Sequence, residues 1–207
     1  IAVDPSNDNI MYVANGVGLY KSTNRGINFT NVFNSSNGNI TFIEVHSTDS
    51  NIVYLVTQGA SGKVLKSIDG GISFNDFSTG LPSIGKNCIV HQGRHTDNPL
   101  YLGTTLGVYY IDDTMSAWEP FDINLPNVSV TDLEINLEDA KLIAATYGRG
   151  VWRTDIPVQI PLVDLKFMNI QNPGININCE ANVIPQIQVK NNGQNTISTV
   201  TINYTID

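Results

Sequence analysis

The chain of 207 residues has only two cysteines, Cys88 and Cys179. They lie far apart and form neither a CxxC pair nor the framework of a disulfide-stapled domain. Two buried free thiols or a single bridge would both suit this spacing. Positive charge is also scarce. Eleven Lys and Arg stand against nineteen Asp and Glu, for a net charge of −8 and a pI near 4.7. The basic residues are scattered singly, whereas a nucleic-acid surface needs them clustered to displace counterions. Nucleic acid is therefore not an expected partner. No run of 18 apolar residues occurs, so no membrane-spanning helix is expected. Lys, Glu and Ala, the residues of long helices, are sparse. His46, His91 and His95 make no HxH or HExxH pattern, so no metal is expected, and no cofactor is expected either.

Small polar turn formers fill the space that helix formers leave. Their arrangement repeats. GLYKSTNRGINFTNV (18–32) aligns with KVLKSIDGGISFNDF (63–77), which sets Ser22 over Ser67, 45 residues apart. VYYIDDTMSAWEPF (108–121) follows with Ile111 at the Ser67 position, 44 residues on. A fourth copy starts at GRGVWRTD (148–155) and stops at Pro157. Before each copy come a short apolar strand (IAVDP, TFIEVH, CIVHQ, TDLEIN), a polar turn, and a second strand (IMYVAN, IVYLVT, LYLGTT, LIAATY). One unit is thus four short strands in about 44 residues, the fourth beginning at the aromatic Phe29, Phe74 or Trp118. Consecutive strands joined by tight turns form an antiparallel meander. A four-stranded unit at this period predicts a β-propeller blade. The fold class expected is all-β: a partial propeller of about four blades over residues 1–156, the last blade incomplete.

The stretch KSIDGGISF carries the sharpest motif. Its Ser-x-Asp-x-Gly-x-Ser-Phe pattern resembles the Asp box of sialidase-like (BNR-repeat) propellers. Ser67, Asp69, Gly71, Ser73 and Phe74 match every defined position. The first copy matches in part, through Ser22, Asn24, Gly26 and Phe29, and the third keeps Asp113 and Trp118. A carboxylate, hydroxyls and glycines together could serve catalysis or metal binding. Repetition at the third-to-fourth strand turn argues instead for a hairpin staple. There Asp or Asn accepts backbone N–H groups, Gly permits positive φ, and the aromatic packs between sheets. The resemblance implies a motif on the outer rim, away from the axial mouth where such propellers bind ligands.

Candidate ligand contacts therefore lie elsewhere. Glu44 and Glu134 alternate with apolar neighbours on innermost strands and could face the channel. Together with Asp4, Asp132 and Asp139 they are the candidates for the acid pair of a xyloglucanase-type glycosidase. His46 and His91 end innermost strands of neighbouring blades. Arg94 and Arg149 sit in loops that could reach a mouth. Two such arginines fall short of the arginine cluster that the sialidase resemblance implies, and no catalytic residue is assigned.

Residues 157–163 read as a linker. Residues 164–207 alternate in VDLKFMNI, IPQIQVKNNG and STVTINYTI, with a turn at Asn172-Pro173-Gly174. VKNNGQNTISTVTINYTID resembles the first strands of CARDB-type, immunoglobulin-like modules of bacterial exoproteins, but about 45 residues cannot close a sandwich. The chain opens on IAVDP and closes on TINYTID, and we read both ends as interior to a longer polypeptide. The expected protein is a secreted or cell-surface bacterial one, exported through a type IX-style sorting domain. Its expected role is non-catalytic recognition of glycan or protein, with the remaining blades and Ig strands of the same polypeptide as further partners. A glycoside hydrolase fragment is the alternative.

Overall fold

The structure is a computed structural model, and it describes residues 1–121, 124–159, 163–172, 184, 186–191 and 193–202. The chain forms two compact units, Ile1–Val158 and Gln159–Asp207. Cys179, Pro173, Gly174 and residues 203–207 lie outside the described residues.

The first unit is four successive blades of a partial β-propeller. Blade 1 is β1 (Ala2–Val3), β2 (Met11–Asn15), β3 (Gly18–Ser22) and β4 (Thr30–Asn34). Blade 2 is β5 (Ile40–Val45), β6 (Val53–Thr57), β7 (Val64–Ser67) and β8 (Asn75–Asp76). Blade 3 is β9 (Lys86–His91), β10 (Leu100–Thr104), β11 (Gly107–Ile111) and β12 (Glu119–Pro120). Blade 4 has three strands, β13 (Val130–Asn136), β14 (Lys141–Thr146) and β15 (Gly150–Asp155). Each blade is an antiparallel meander in chain order. The fourth strands begin one residue past the aromatic, at Thr30, Asn75 and Glu119. The aromatic itself closes the turn.

A twisted four-stranded sheet has two faces and must bury both. Neighbouring blades do this for one another. Tyr12 and Leu19 of blade 1 meet Ile43, Val45, Val53 and Leu55 of blade 2 in one cluster. Tyr54, Val56 and Val64 meet Ile89, Leu100, Leu102 and Trp118 in the next. Cys88, Tyr101 and Val108 meet Val130, Leu133 and Leu142 in the third. The central strands β6 and β10 are buried at every position, since both their faces are covered. A fully buried Leu such as Leu55 contributes roughly 2 kcal/mol. Cys88 is a free, buried thiol, and burial pushes its pKa up to about 12. Ile156 is buried in the third cluster and Val158 packs against it, so the propeller core runs a little past residue 156.

The second unit contains an antiparallel pair, β16 (Leu165–Asn172) and β17 (Gln186–Asn191). Residues 198–202, in the third alternating run, have no regular secondary structure.

Candidate functional site

A meander gives each blade two ends. At one end lie the turns after the first strand and the turns between third and fourth strands. At the other lie the turns between second and third strands and the start of each innermost strand.

The 67–74 turn belongs to the first end. Ser67 Oγ donates to Asp69 Oδ1 (2.8 Å) and accepts from Gly71 N–H (2.9 Å). Asp69 Oδ1 also accepts Ile72 N–H (3.0 Å) and Ser73 N–H (2.9 Å), and Ser73 Oγ donates to Asp69 Oδ2 (2.5 Å). These donors hold the exposed Asp69 carboxyl well below the ordinary carboxylate range, Ser73 contributing most. Every oxygen of this group is spent on its own turn. Gly70 and Gly71 take φ of 73° and 87°, and Gly71 lies against the Tyr12 ring of blade 1. Phe74 stacks on Phe33 at 4.6 Å. The first copy repeats the pattern with Ser22 Oγ to Asn24 Oδ1 (2.9 Å), Gly26 N–H to Ser22 Oγ (2.9 Å) and Asn28 N–H to Asn24 Oδ1 (3.0 Å). Gly26 has φ 81°, and Phe29 is partly exposed.

The third copy is built differently. Asp112, not Asp113, accepts the N–H and hydroxyl of Thr114. Asp113 instead accepts the Asn98 amide at 2.6 Å. Met115 and Ala117 stand where the other copies have Gly and a polar residue, so the tight turn cannot form. Trp118 is buried, and its indole N–H donates to Phe77 O at 2.7 Å.

Further inward at the same end, His46 and His91 stack with ring centroids 3.9 Å apart. Their places are not equivalent. His46 N–H and Gln92 N–H pair with Ile52 O and Pro99 O, as Asp4 N–H pairs with Ile10 O. His91 is one residue earlier, opposite Leu100. His46 Nδ1 accepts from Thr48 N–H and Asp49 N–H, just as Asp4 Oδ1 accepts from Ser6 and Asn7. Its proton is therefore on Nε2, which donates to Asn98 Oδ1 at 3.1 Å. His91 Nδ1 accepts Ser47 N–H at 3.2 Å, and its Nε2 is buried without a hydrogen bond. Burial, then His46 and Lys66, lowers the His91 pKa to about 3. Glu44 accepts the His91 N–H across the blade boundary at 2.8 Å. Burial raises its pKa to about 7, with the charge of Glu134 adding to the rise. Glu134 is exposed on β13. Arg94 is exposed in the loop after β9 with φ 56°. No group of three or more His, Cys, Asp or Glu converges as a metal site among the described residues.

Arg149 lies at the opposite end, exposed in the β14–β15 turn, and its carbonyl accepts the Trp152 indole N–H at 3.0 Å. The two loop arginines thus stand at opposite ends of the blades.

That second end holds what the sequence reading missed. A cleft of about 470 Å³ opens over the starts of β5, β9 and β13. It is lined by Thr41, Gln58, Lys86, Asn87, Thr105, Ser129 and Thr131, with Gly59 and Gly85. In each of the three inner strands the register slips at the same place: between Ile40 and Phe42, between Lys86 and Cys88, and between Val130 and Asp132. Each slip is a β-bulge whose extra residue has no strand partner. Those residues are Thr41, Asn87 and Thr131, and all three line the cleft. Lys86 is buried beside it, its ammonium donating to Ala60 O, Pro82 O and Ile84 O at 3.5, 3.3 and 3.0 Å.

A signal for the bulges was present. Ile40, Ile43 and Val45 face one cluster, and Val130, Leu133 and Ile135 another. The first step in each set is three residues rather than two, which breaks the alternation expected of a regular strand.

No family model matches the chain, and no curated protein matches it in sequence. Solved β-propeller structures do match in fold. A GH74 enzyme of Niastella koreensis superposes with a TM-score of 0.61 at 18% identity, over 73% of this chain and 27% of that one. YCF48 bound to D1 peptide gives 0.52 at 13% identity, over 76% and 55%. The extracellular domain assigned to a hybrid two component system, BT4673, of B. thetaiotaomicron gives 0.52 at 15%, over 75% and 22%. The chain spans between about a fifth and about half of the length of these structures.

Proposed function

We propose that the chain is part of a non-catalytic binding or display module, recognising glycan or protein through the cleft over the inner-strand bulges. The observation that carries this is the lining. Three blades contribute hydroxyl and amide side chains to one opening, and none of its nine lining residues is a carboxylate. Concave sites with a few convergent polar groups are the usual place for a small ligand. The acid with the raised pKa, Glu44, and its like-charged neighbour Glu134 are not among those lining residues, and the Asp69 carboxylate is consumed by its turn. On this reading the repeats are BNR-type, residues 164–207 begin a CARDB-like module, and the protein works at the bacterial cell surface or outside the cell. The extracellular propeller among the similar structures supports that location. No helix of the described residues is long and apolar enough to cross a membrane.

One observation favours the glycoside hydrolase alternative. Glu44 has a carboxyl pKa of about 7 and feels the charge of Glu134, as an acid and its partner would. A screen of the full chain for glycan binding and hydrolysis separates the two. Binding without turnover, unchanged by Glu44→Gln and Glu134→Gln, is the expected result. Turnover that both substitutions abolish overturns the binding reading.

A further inference from the structure

The hydrogen bonds around the cleft say which ligand chemistry it accepts. Thr41 and Thr131 are each the extra residue of a bulge, and they behave alike. Thr41 Oγ1 donates its one proton to Val56 O at 3.2 Å, and Thr131 Oγ1 donates to Ala145 O at 3.2 Å. In both blades that carbonyl belongs to the residue paired with the next inner-strand position. Asn87, the bulge residue between them, turns its amide N–H groups to Val130 O (2.7 Å) and Ser129 Oγ (3.2 Å). What the three bulges leave unspent is acceptor capacity: hydroxyl lone pairs on Thr41 and Thr131 and the carbonyl of Asn87. The nearby cation adds no donor, because Lys86 is buried with its ammonium on three backbone carbonyls.

Resting on the binding reading above, we infer that the bulge residues Thr41, Asn87 and Thr131 form a blade-to-blade contact set for a neutral, hydroxyl-rich ligand, a sugar residue of an uncharged glycan. Each sugar hydroxyl supplies the proton that these acceptors lack. A carboxylated or sulfated sugar brings further acceptors to three bulge residues whose own donors are already used, on a chain of net charge −8. A cationic group would lose its hydration against neutral acceptors, with no carboxylate in the lining to replace it. Bulges suit this role because they turn a strand side chain out of the ladder toward a site.

The test is a titration of the full chain against neutral, sialylated and sulfated oligosaccharides and an oligolysine peptide. Binding confined to neutral oligosaccharides is expected. Thr41→Val and Thr131→Val keep the side-chain shape and the strand preference while removing the acceptor, and Asn87→Leu removes the carbonyl. Each substitution should weaken binding about tenfold, the value of one hydrogen bond to ligand. Thr41→Ser should restore it. Gln58→Ala, on an exposed turn of the same cleft, tests whether the cleft itself holds the glycan where a strand variant misfolds. Preference for sialylated or sulfated sugars or for oligolysine overturns the assignment, and so does neutral-glycan binding that survives all four removals. Failure to bind any glycan sinks this inference while leaving protein recognition by the same cleft standing.

Discussion

At one end of the blades, His46 and Gln92 commit their polar atoms to neighbouring groups, and Asp69 does the same on the rim. At the other end, Thr41, Asn87 and Thr131 keep acceptors that nothing in the blades uses. Both ends come from one repeat. They differ in what the side chain at each strand terminus must do. Where a strand leads into a long loop, the loop's N–H groups need acceptors, and Asp4, His46 and Asn136 all supply them two and three residues ahead. Where a strand begins with a bulge, the ladder resumes past the extra residue, which is left lining the cleft. The strand-ending acceptors at the first end are therefore structural, and the bulge residues at the second keep acceptor capacity.

Breaking the closed end should cost the most. Gln92 is fully buried, with its Oε1 accepting from Tyr101 Oη at 2.9 Å and its amide donating to Pro157 O at 2.5 Å. Gln92→Leu leaves both partners buried and unpaired. A loss of about 3 kcal/mol is expected in denaturant unfolding. A loss below that of a surface substitution would show that the closed end is not held this way.

Gly71→Ala comes next. A Cβ at this position would sit 3.1 Å from Tyr12 Cε1, on a backbone at φ 87°. Left-handed backbone costs a non-glycine residue roughly 1–2 kcal/mol. Thermal unfolding should show a loss of that size with no change in ligand binding. Lost binding at an unchanged melting temperature would move the 67–74 turn from structure to function.

The ionisable groups at the closed end make a pH signature. Glu44 has a folded pKa near 7, above its ordinary 4.5. The folded state thus binds its proton more tightly, and the penalty of the charged carboxylate is fully present above pH 7 and absent below 4.5. His91 has a folded pKa near 3, below its ordinary 6.5. Its neutral form stabilises fully above 6.5 and that stability is lost as pH falls toward 3. The two slopes oppose each other between 4.5 and 6.5. The melting temperature should plateau there, fall slightly between 6.5 and 7, level off above pH 7, and drop below pH 4.5. Glu44→Gln should remove the fall near pH 7 and let stability climb from 4.5 to 6.5 on the His91 slope alone. A plateau between 4.5 and 6.5 that persists in Glu44→Gln would assign the opposing slope to another group.

The blades were legible in the sequence because turn chemistry and strand length recur together. Ser22, Ser67 and Ile111 mark the ends of β3, β7 and β11, and most strand boundaries fall within two residues of a Gly, Asn, Asp or aromatic. The staple network around Asp69 was legible for the same reason, since all its partners lie within four residues. The cleft was not, because it is assembled from residues 44 and 46 positions apart whose only mark is a broken alternation. His46 and His91 were visible as strand-ending residues. Their one-residue inequivalence was hidden, since only pairing to Ile52, Pro99 and Leu100 reveals it. Asp113 kept the motif's letter while Asp112 took its work, a substitution that local spacing cannot distinguish once the glycine is gone.

The smallest expected effect sharpens the comparison from the open end. Gln58 is exposed on the β6–β7 turn, where its side-chain carbonyl accepts the Asn39 amide at a long 3.4 Å. Gln58→Ala should change stability by less than about 0.5 kcal/mol, as for surface positions without structural duty. Asp69→Asn provides the matched substitution at the closed end: it keeps the Oδ1 acceptor, as Asn24 does in the first copy, but weakens the contact with Ser73 Oγ. Its melting temperature should fall measurably further than that of Gln58→Ala, and the gap should narrow as acid protonates the wild-type carboxylate. Equal melting temperatures for the two variants at neutral pH would mean that the polar groups of the two ends are equally dispensable, and the division between a structural end and an available one would fail.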